Sequence, residues 1–247
     1  MPPLKPYSGD LPYSYALGVF PSIALMQVAP ERAKRLLLSP RAEGEGIEKL
    51  RALCHTHSIR EEIAEKALAR VSGKQNCFAA LVFEKWQPEL CPTQPHVLLH
   101  HPMDEGNVGT ILRTLLGFGL SNIAIVRPAA DIFEPRVIRA SMGAIFSLNV
   151  KQYEDFSLYR QEHPSHFLYP FMLDGAVPLS HAAQTHPALY TLVFGNEGSG
   201  LPAEFSTFGQ AVRIPHSVAI DSLNLSVAVA IGAYAFTQDS SHKEVFP

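Results

Sequence analysis

What most constrains this chain is the way unbroken apolar runs recur between helical segments. In "HVLLHHP", "NIAIVRP" and "TLVFGNE" the apolar residues are consecutive rather than alternating, so both faces of each predicted strand must be covered. That is the pattern of a mostly parallel sheet between helical layers. Predicted helices separate the runs: "NVGTILRTLLGFG", "PRVIRASMGA" and the closing "SLNLSVAVAIGAYAFTQ". Shorter strands are predicted at "FSLNV", "HFLYPFML" and "AVRIP". The expected fold class is α/β.

A chain of 247 residues suits two modest domains, and "QPELCPTQPH" offers the boundary, since its three prolines break helices and withhold ladder donors. Before it, "KRLLLSP" and "CFAALVFEKW" read as strands, and "GIEKLRALCHTHSI" and "REEIAEKALARVSG" as helices. The expected division is a small α/β domain over residues 1–90 and a larger one over 91–247.

Several function classes are disfavoured. The opening "MPPLKPYSGDLPYSYALGVF" lacks a basic segment followed by an apolar one, and no stretch reaches about 18 consecutive apolar residues. A cytoplasmic chain without a membrane partner is expected. Cys54, Cys77 and Cys91 are odd in number and lack CxxC spacing, as expected of free thiols. The eleven histidines include the close pairs His55–His57 and His100–His101, which form no clear ligand set, so no metal is expected. The formal charge of −3 is divided unevenly. Residues 1–96 hold 12 Lys+Arg against 10 Asp+Glu, and residues 97–247 hold 8 against 13. Any RNA contact is expected to favour the first half.

In parallel sheets, ligands gather outside the carboxyl ends of the strands. Four loops fall there: "HPMDEGN", "RPAADIFEP", "GNEGSG" and "PHSVAIDS". The first, third and fourth combine glycine, asparagine or serine with acids, the composition of a backbone-lined ligand loop. "GNEGSG" matches neither the dinucleotide GxGxxG order nor a phosphate loop, and "GNEGSGL" lacks the GxSxG spacing of a hydrolase elbow. A nicotinamide oxidoreductase would need the missing glycine fingerprint. Taken singly, each loop is equally a tight turn or a capped helix start.

Together, "NVGTILRT" (107–114), "LVFGNEGSGL" (192–201) and "IPHSVAIDSLNLSVAVA" (214–230) resemble the three ordered motifs of the SpoU, or TrmH-like, RNA 2'-O-ribose methyltransferases. The segment over about residues 10–86, ending in "ARVSGKQNCFAALV", resembles the ribosomal-protein-like substrate-binding domain that many of these enzymes carry. The resemblance implies a SPOUT domain with a C-terminal trefoil knot and pairing as a homodimer. It also implies S-adenosylmethionine as methyl donor, with no metal, and an RNA partner, ribosomal RNA before transfer RNA. A catalytically silent RNA-binding module is the alternative from a different class.

By the same resemblance, Asn107, Arg113, Glu197, Ser222 and Asn224 match the family's functional positions. Phe194, Gly195, Asn196, Gly198, Gly200, Ile214, Pro215 and Leu223 fall where the family holds the donor. The expected role of Arg113 is to fix the phosphate beside the target hydroxyl and to stabilise developing alkoxide charge, since a guanidinium stays protonated. One departure stands out. The family pattern I-P-M-x-G reads "IPHSV" here, with His216 for the methionine and Val218 for the glycine. A β-branched residue cannot readily follow a backbone that only glycine adopts, so a rerouted loop or a narrowed pocket is expected. His216 is expected to be a tolerated surface histidine.

Overall fold

The computed structural model describes residues 4–73, 77–174 and 177–238. Residues 74–76, inside "ARVSGKQNCFAALV", lie outside the described residues. The strands are β1 (Tyr13–Leu17), β2 (Ala33–Leu38), β3 (Arg60–Ile63), β4 (Ala79–Glu84), β5 (His96–His100), β6 (Asn122–Val126), β7 (Asn149–Tyr153), β8 (Phe167–Pro170), β9 (Val177–Pro178), β10 (Tyr190–Phe194) and β11 (Val212–Arg213). The helices are α1 (Val19–Val28), α2 (Glu45–Thr56), α3 (Glu65–Ser72), α4 (Glu105–Gly117), α5 (Pro135–Ala140), α6 (Phe156–Glu162), α7 (Leu179–Ala182) and α8 (Leu225–Thr237).

Two compact units result. The first comprises residues 1–86 with 131–147, and the second comprises 87–130 with 148–247. The break after Trp86 falls at the start of the proline-rich stretch. Residues 131–147, read from the sequence as part of the larger domain, instead pack with the first unit. Aromatic contacts explain this: Phe133 and Phe146 gather round Phe83 and Trp86, with Trp86 and Phe146 stacked at 6.0 Å between centroids.

In the first unit the strand order is β1-β4-β2-β3, with β2 and β3 parallel and the other pairs antiparallel. Its core joins Tyr15, Leu37, Leu68, Val71 and Val82. "REEI", expected as the start of a helix, is β3, and the helix begins only at Glu65. Ladder pairing with β2 and the Arg35–Glu62 ion pair at 3.3 Å outweigh the local helical propensity of Arg60, Glu61 and Glu62.

The second unit carries the expected parallel sheet, in the order β7-β6-β5-β10-β8 with every pair parallel. All residues of β5, β6 and β10 are buried, which is why their sequences read as continuous apolar runs. Leu98, Val126, Tyr159, Leu168, Val193 and Phe205 form one core cluster. β7 starts at Asn149, because Ala144–Ser147 form a 3-10 turn where a strand was expected. β9 and β11 form a separate parallel pair. No helix among the described residues is long and apolar enough to cross a membrane.

Candidate active site

Beyond the carboxyl end of β10 the chain must turn within a few residues. Asn196 and Gly200 exchange backbone hydrogen bonds at 3.2 and 3.0 Å, and Gly200 has φ +68, a left-handed conformation that glycine adopts without cost. Gly195 is required for a different reason. A Cβ there would stand 2.2 Å from the Gly200 carbonyl carbon and 2.3 Å from the Leu201 nitrogen, so only hydrogen permits the turn to close. The Asn196 side chain fixes the interior, accepting from Gly198 N at 2.9 Å and Ser199 N at 3.1 Å while donating to the His101 carbonyl at 2.8 Å.

This turn aims Glu197 at the loop between β5 and α4. Its Oε2 accepts from Met103 N at 3.1 Å, and its Oε1 accepts from Asp104 N at 3.1 Å and from Asn107 Nδ2 at 3.4 Å. Asp104 meanwhile caps α4 by accepting from Asn107 N at 2.7 Å. The Asn107 Oδ1 accepts from Asn224 Nδ2 at 3.1 Å, and Asn224 caps α8 through Ser226 N at 2.9 Å. A continuous chain of hydrogen bonds thus runs Glu197–Asn107–Asn224 and ties three strand-end loops together. His101 supports it from a left-handed backbone, φ 58, unusual for a residue with a side chain. Beside it His100 is buried and stacked on His101 at 3.7 Å. Burial, and secondarily the His101 charge, pushes His100 down to about 4.

A cavity of about 400 Å³ opens against this frame, within the range of small-molecule sites. Phe194, Gly195, Asn196, Glu197, Gly198 and Gly200 line one side, and Ile214, Ser222 and Leu223 line another. These nine were all singled out from the sequence. Asn107 and Asn224 stand behind the lining, joined to it through Glu197. Pro215 and Arg113 are not lining residues. Arg113 is exposed on α4 and, at 100° per residue, lies about 120° round the helix from Asn107.

The departures in the third motif resolve differently from expectation. Val218 is fully exposed, 103%, and lies outside the lining. Its φ is not positive, so the loop makes no glycine-only demand there and the side chain does not narrow the cavity. His216, expected at the surface, is half-buried, lines the cavity and donates from Nδ1 to the Ile214 carbonyl at 2.9 Å. The sequence reading missed the segment after β8. Phe171, Met172 and Asp174 line the cavity, with Phe171 stacked on Phe194 at 4.2 Å. The strand-end rule applied to "FML" would have found them.

The residues present suit an elongated ligand with apolar and polar parts. Phe194, Leu201, Leu223 and Leu225 offer apolar surface, and Asp174 and Asp221 offer carboxylate acceptors. Backbone without side-chain cover at Gly195, Gly198 and Gly200 offers close approach.

Comparisons with known proteins agree on one family. The model of the SpoU rRNA Methylase family matches residues 94–234. The 23S rRNA (adenosine(1067)-2'-O)-methyltransferase of Streptomyces laurentii is 32% identical over 143 residues, covering 56% of this chain and 52% of the relative. An uncharacterised tRNA/rRNA methyltransferase of Synechocystis is 28% identical over 191 residues, covering 73% and 66%. The chain therefore spans about half to two thirds of the length of these curated relatives. Among solved structures, an AdoMet-bound rRNA methyltransferase from Sinorhizobium meliloti matches with a TM-score of 0.73 at 25% identity, over 91% of this chain and 87% of that one.

Proposed function

The chain belongs to the SpoU rRNA methylase family, and from that membership we propose that it methylates a ribose 2'-hydroxyl of RNA, using S-adenosylmethionine as donor and ribosomal RNA as substrate. The observation that carries this reading is the convergence of three strand-end loops on Glu197 and one cavity. The donor's sulfonium supplies an already activated methyl group, so no metal enters the chemistry. Gly195, Ile214 and Leu223 would hold the adenosine, with His216 and Asp221 as further cavity contacts that the motifs alone did not indicate. The knotted topology expected of the family belongs to this proposal. It is supported by the loops after β10 and β11 lining one cavity.

A hydroxyl is a weak nucleophile, so alignment and charge stabilisation must do most of the work. Glu197 and Asn107 hold the α4 loop in place and set where the hydroxyl enters. Arg113 shows no hydrogen bond or ion pair among the described residues, which leaves its guanidinium fork available to an RNA phosphate and to developing alkoxide charge. Apolar side chains exposed on α4 and α8, namely Leu116, Val227 and Tyr234, support pairing of two copies through these helices. The first unit would bind RNA by shape and phosphate contact. Its charge argument is weaker than the composition suggested, because Lys34, Arg35 and Arg51 are already paired with Glu84, Glu62 and Glu61.

The test is transfer of labelled methyl from S-adenosylmethionine to unmodified ribosomal RNA, followed by alkaline hydrolysis. A methylated 2'-oxygen cannot attack the adjacent phosphate, so the label should survive in an alkali-resistant dinucleotide. Label released as mononucleotide would place the methyl on a base, and label confined to transfer RNA would replace the substrate.

A further inference from the structure

Three histidines that the sequence scatters over seventy residues are brought together at the amino-terminal end of the parallel strands, the end away from the cavity. His96 opens β5, and His163 and His166 lie between α6 and β8. Their exposures are 0%, 3% and 1%, and one ring nitrogen from each lies within 4.8 Å of the others.

The hydrogen bonds fix how these rings face. His96 Nε2 stands 2.9 Å from the Cys91 carbonyl and His166 Nε2 stands 3.2 Å from the Pro92 carbonyl. A carbonyl only accepts, so both rings carry their hydrogen on Nε2. His163 Nε2 lies 3.3 Å from the Tyr153 hydroxyl and 3.7 Å from Glu162 Oε1; a carboxylate only accepts, so the hydrogen of this ring also sits on Nε2. All three are therefore anchored outward by Nε2 and keep a lone pair on Nδ1. The Nδ1 of His163 is buried with no hydrogen-bond partner among the described residues, a costly state for a polar atom. The other two Nδ1 atoms reach Tyr159 Oη at 3.0 Å and Thr191 Oγ1 at 3.1 Å, and these hydroxyls are 2.6 Å apart. Two hydroxyl hydrogens cannot serve three such contacts. The cluster is short of one positive centre among its lone pairs.

We propose that His96, His163 and His166 bind a zinc-class divalent metal ion through Nδ1, as a structural site separate from methyl transfer. Imidazole donors suit such ions, and anchoring the second ring nitrogen on a carbonyl or hydroxyl is the usual outer shell of a metal-bound histidine. Bonds of about 2.0–2.1 Å require the nitrogens to draw together by up to about 1.4 Å from the present spacing, with water or the Tyr159 oxygen completing the set. The ion would pin the α6–β8 connection to the first residue of β5 and to residues 91–92. The expectation that no histidine set exists rested on neighbours in sequence, whereas this set is assembled by the parallel sheet.

Because the site is sealed, the metal must enter during folding. The full chain should be unfolded in chelator and refolded with zinc chloride, with cobalt chloride, or without metal, then freed of excess ion and assayed for bound metal. About one zinc per chain is expected, together with a higher melting temperature than the metal-free protein. The cobalt form should show the visible bands of tetrahedral nitrogen ligation without a thiolate charge-transfer band. In His163→Gln the affinity should fall at least tenfold, since even loss of an outer-shell partner costs about 10–100-fold. Substoichiometric metal in refolded wild type, or retention by His163→Gln equal to wild type, would overturn the proposal. If the variant does not fold, the wild-type cobalt spectrum decides, and its absence counts against the site.

Discussion

At single residues, Gly195 and Glu197 fix the turn that shapes the cavity. The space for a Cβ at Gly195 is already filled by the backbone of Gly200 and Leu201, so Gly195→Ala must open the turn that shapes the cavity. We expect a folded protein whose affinity for S-adenosylmethionine is lower by roughly ten- to hundredfold, the equivalent of the ~1–3 kcal/mol that overpacking costs. Calorimetry beside a far-ultraviolet spectrum checks it. Arg113→Lys should retain part of the transfer activity that Arg113→Ala loses, since the charge survives and the fork does not. Equal loss in both, read by labelled methyl transfer at saturating donor, would remove the phosphate-and-alkoxide role. His100 gives the pH dependence. Its folded value is depressed to about 4 against an ordinary value near 6.5, so the unfolded chain binds the proton more readily between those limits. Stability should therefore fall as pH drops from about 6.5 towards 4. Melting curves across that window should show a shallower fall for His100→Asn.

At the scale of elements, α8 shows most clearly why the site needs a particular packing. Gly232 faces Phe171 and Phe194, and a Cβ there would meet their rings at 2.8 and 2.9 Å. Gly232→Ala should thus cost about 1–3 kcal/mol of stability, seen as a lower denaturant midpoint, and should disturb the stacked pair beside the cavity. A midpoint unchanged from wild type would mean the rings have room to yield. The elements most plainly legible in the sequence, β5, β6, β10, α4 and α8, share long unbroken apolar runs or a strong cap-and-period signal, and β2, β4, β8, β11, α2 and α5 were read from shorter signals of the same kind. Those that were not are short or set by partners. β3 reads locally as helix and is a strand because β2 lies beside it, and β1 and α1 escaped notice because neither carries a clear period. The same holds for the site. Glu197, Gly195 and Ser222 stand in compact motifs, while Phe171, Asp174 and the three buried histidines become neighbours only through the order of the parallel strands.

At the scale of the whole molecule, the sequence boundary and the packed units differ in one segment. Residues 131–147 come from the second half of the chain, yet Phe133 and Phe146 bury their rings on Phe83 and Trp86. Deleting residues 1–86 should leave this segment without its core and open to proteolysis between 131 and 147, whereas the full chain should resist cleavage there. The family match covers residues 94–234, and the cavity in the second unit is where the proposed function is most exposed to test. The measurement to make is calorimetric titration of the full chain with S-adenosylmethionine, with Gly195→Ala as its pair. Saturable binding of one donor per chain is expected in the wild type, greatly weakened by the substitution. No binding at millimolar donor, or equal binding by both proteins, would contradict it.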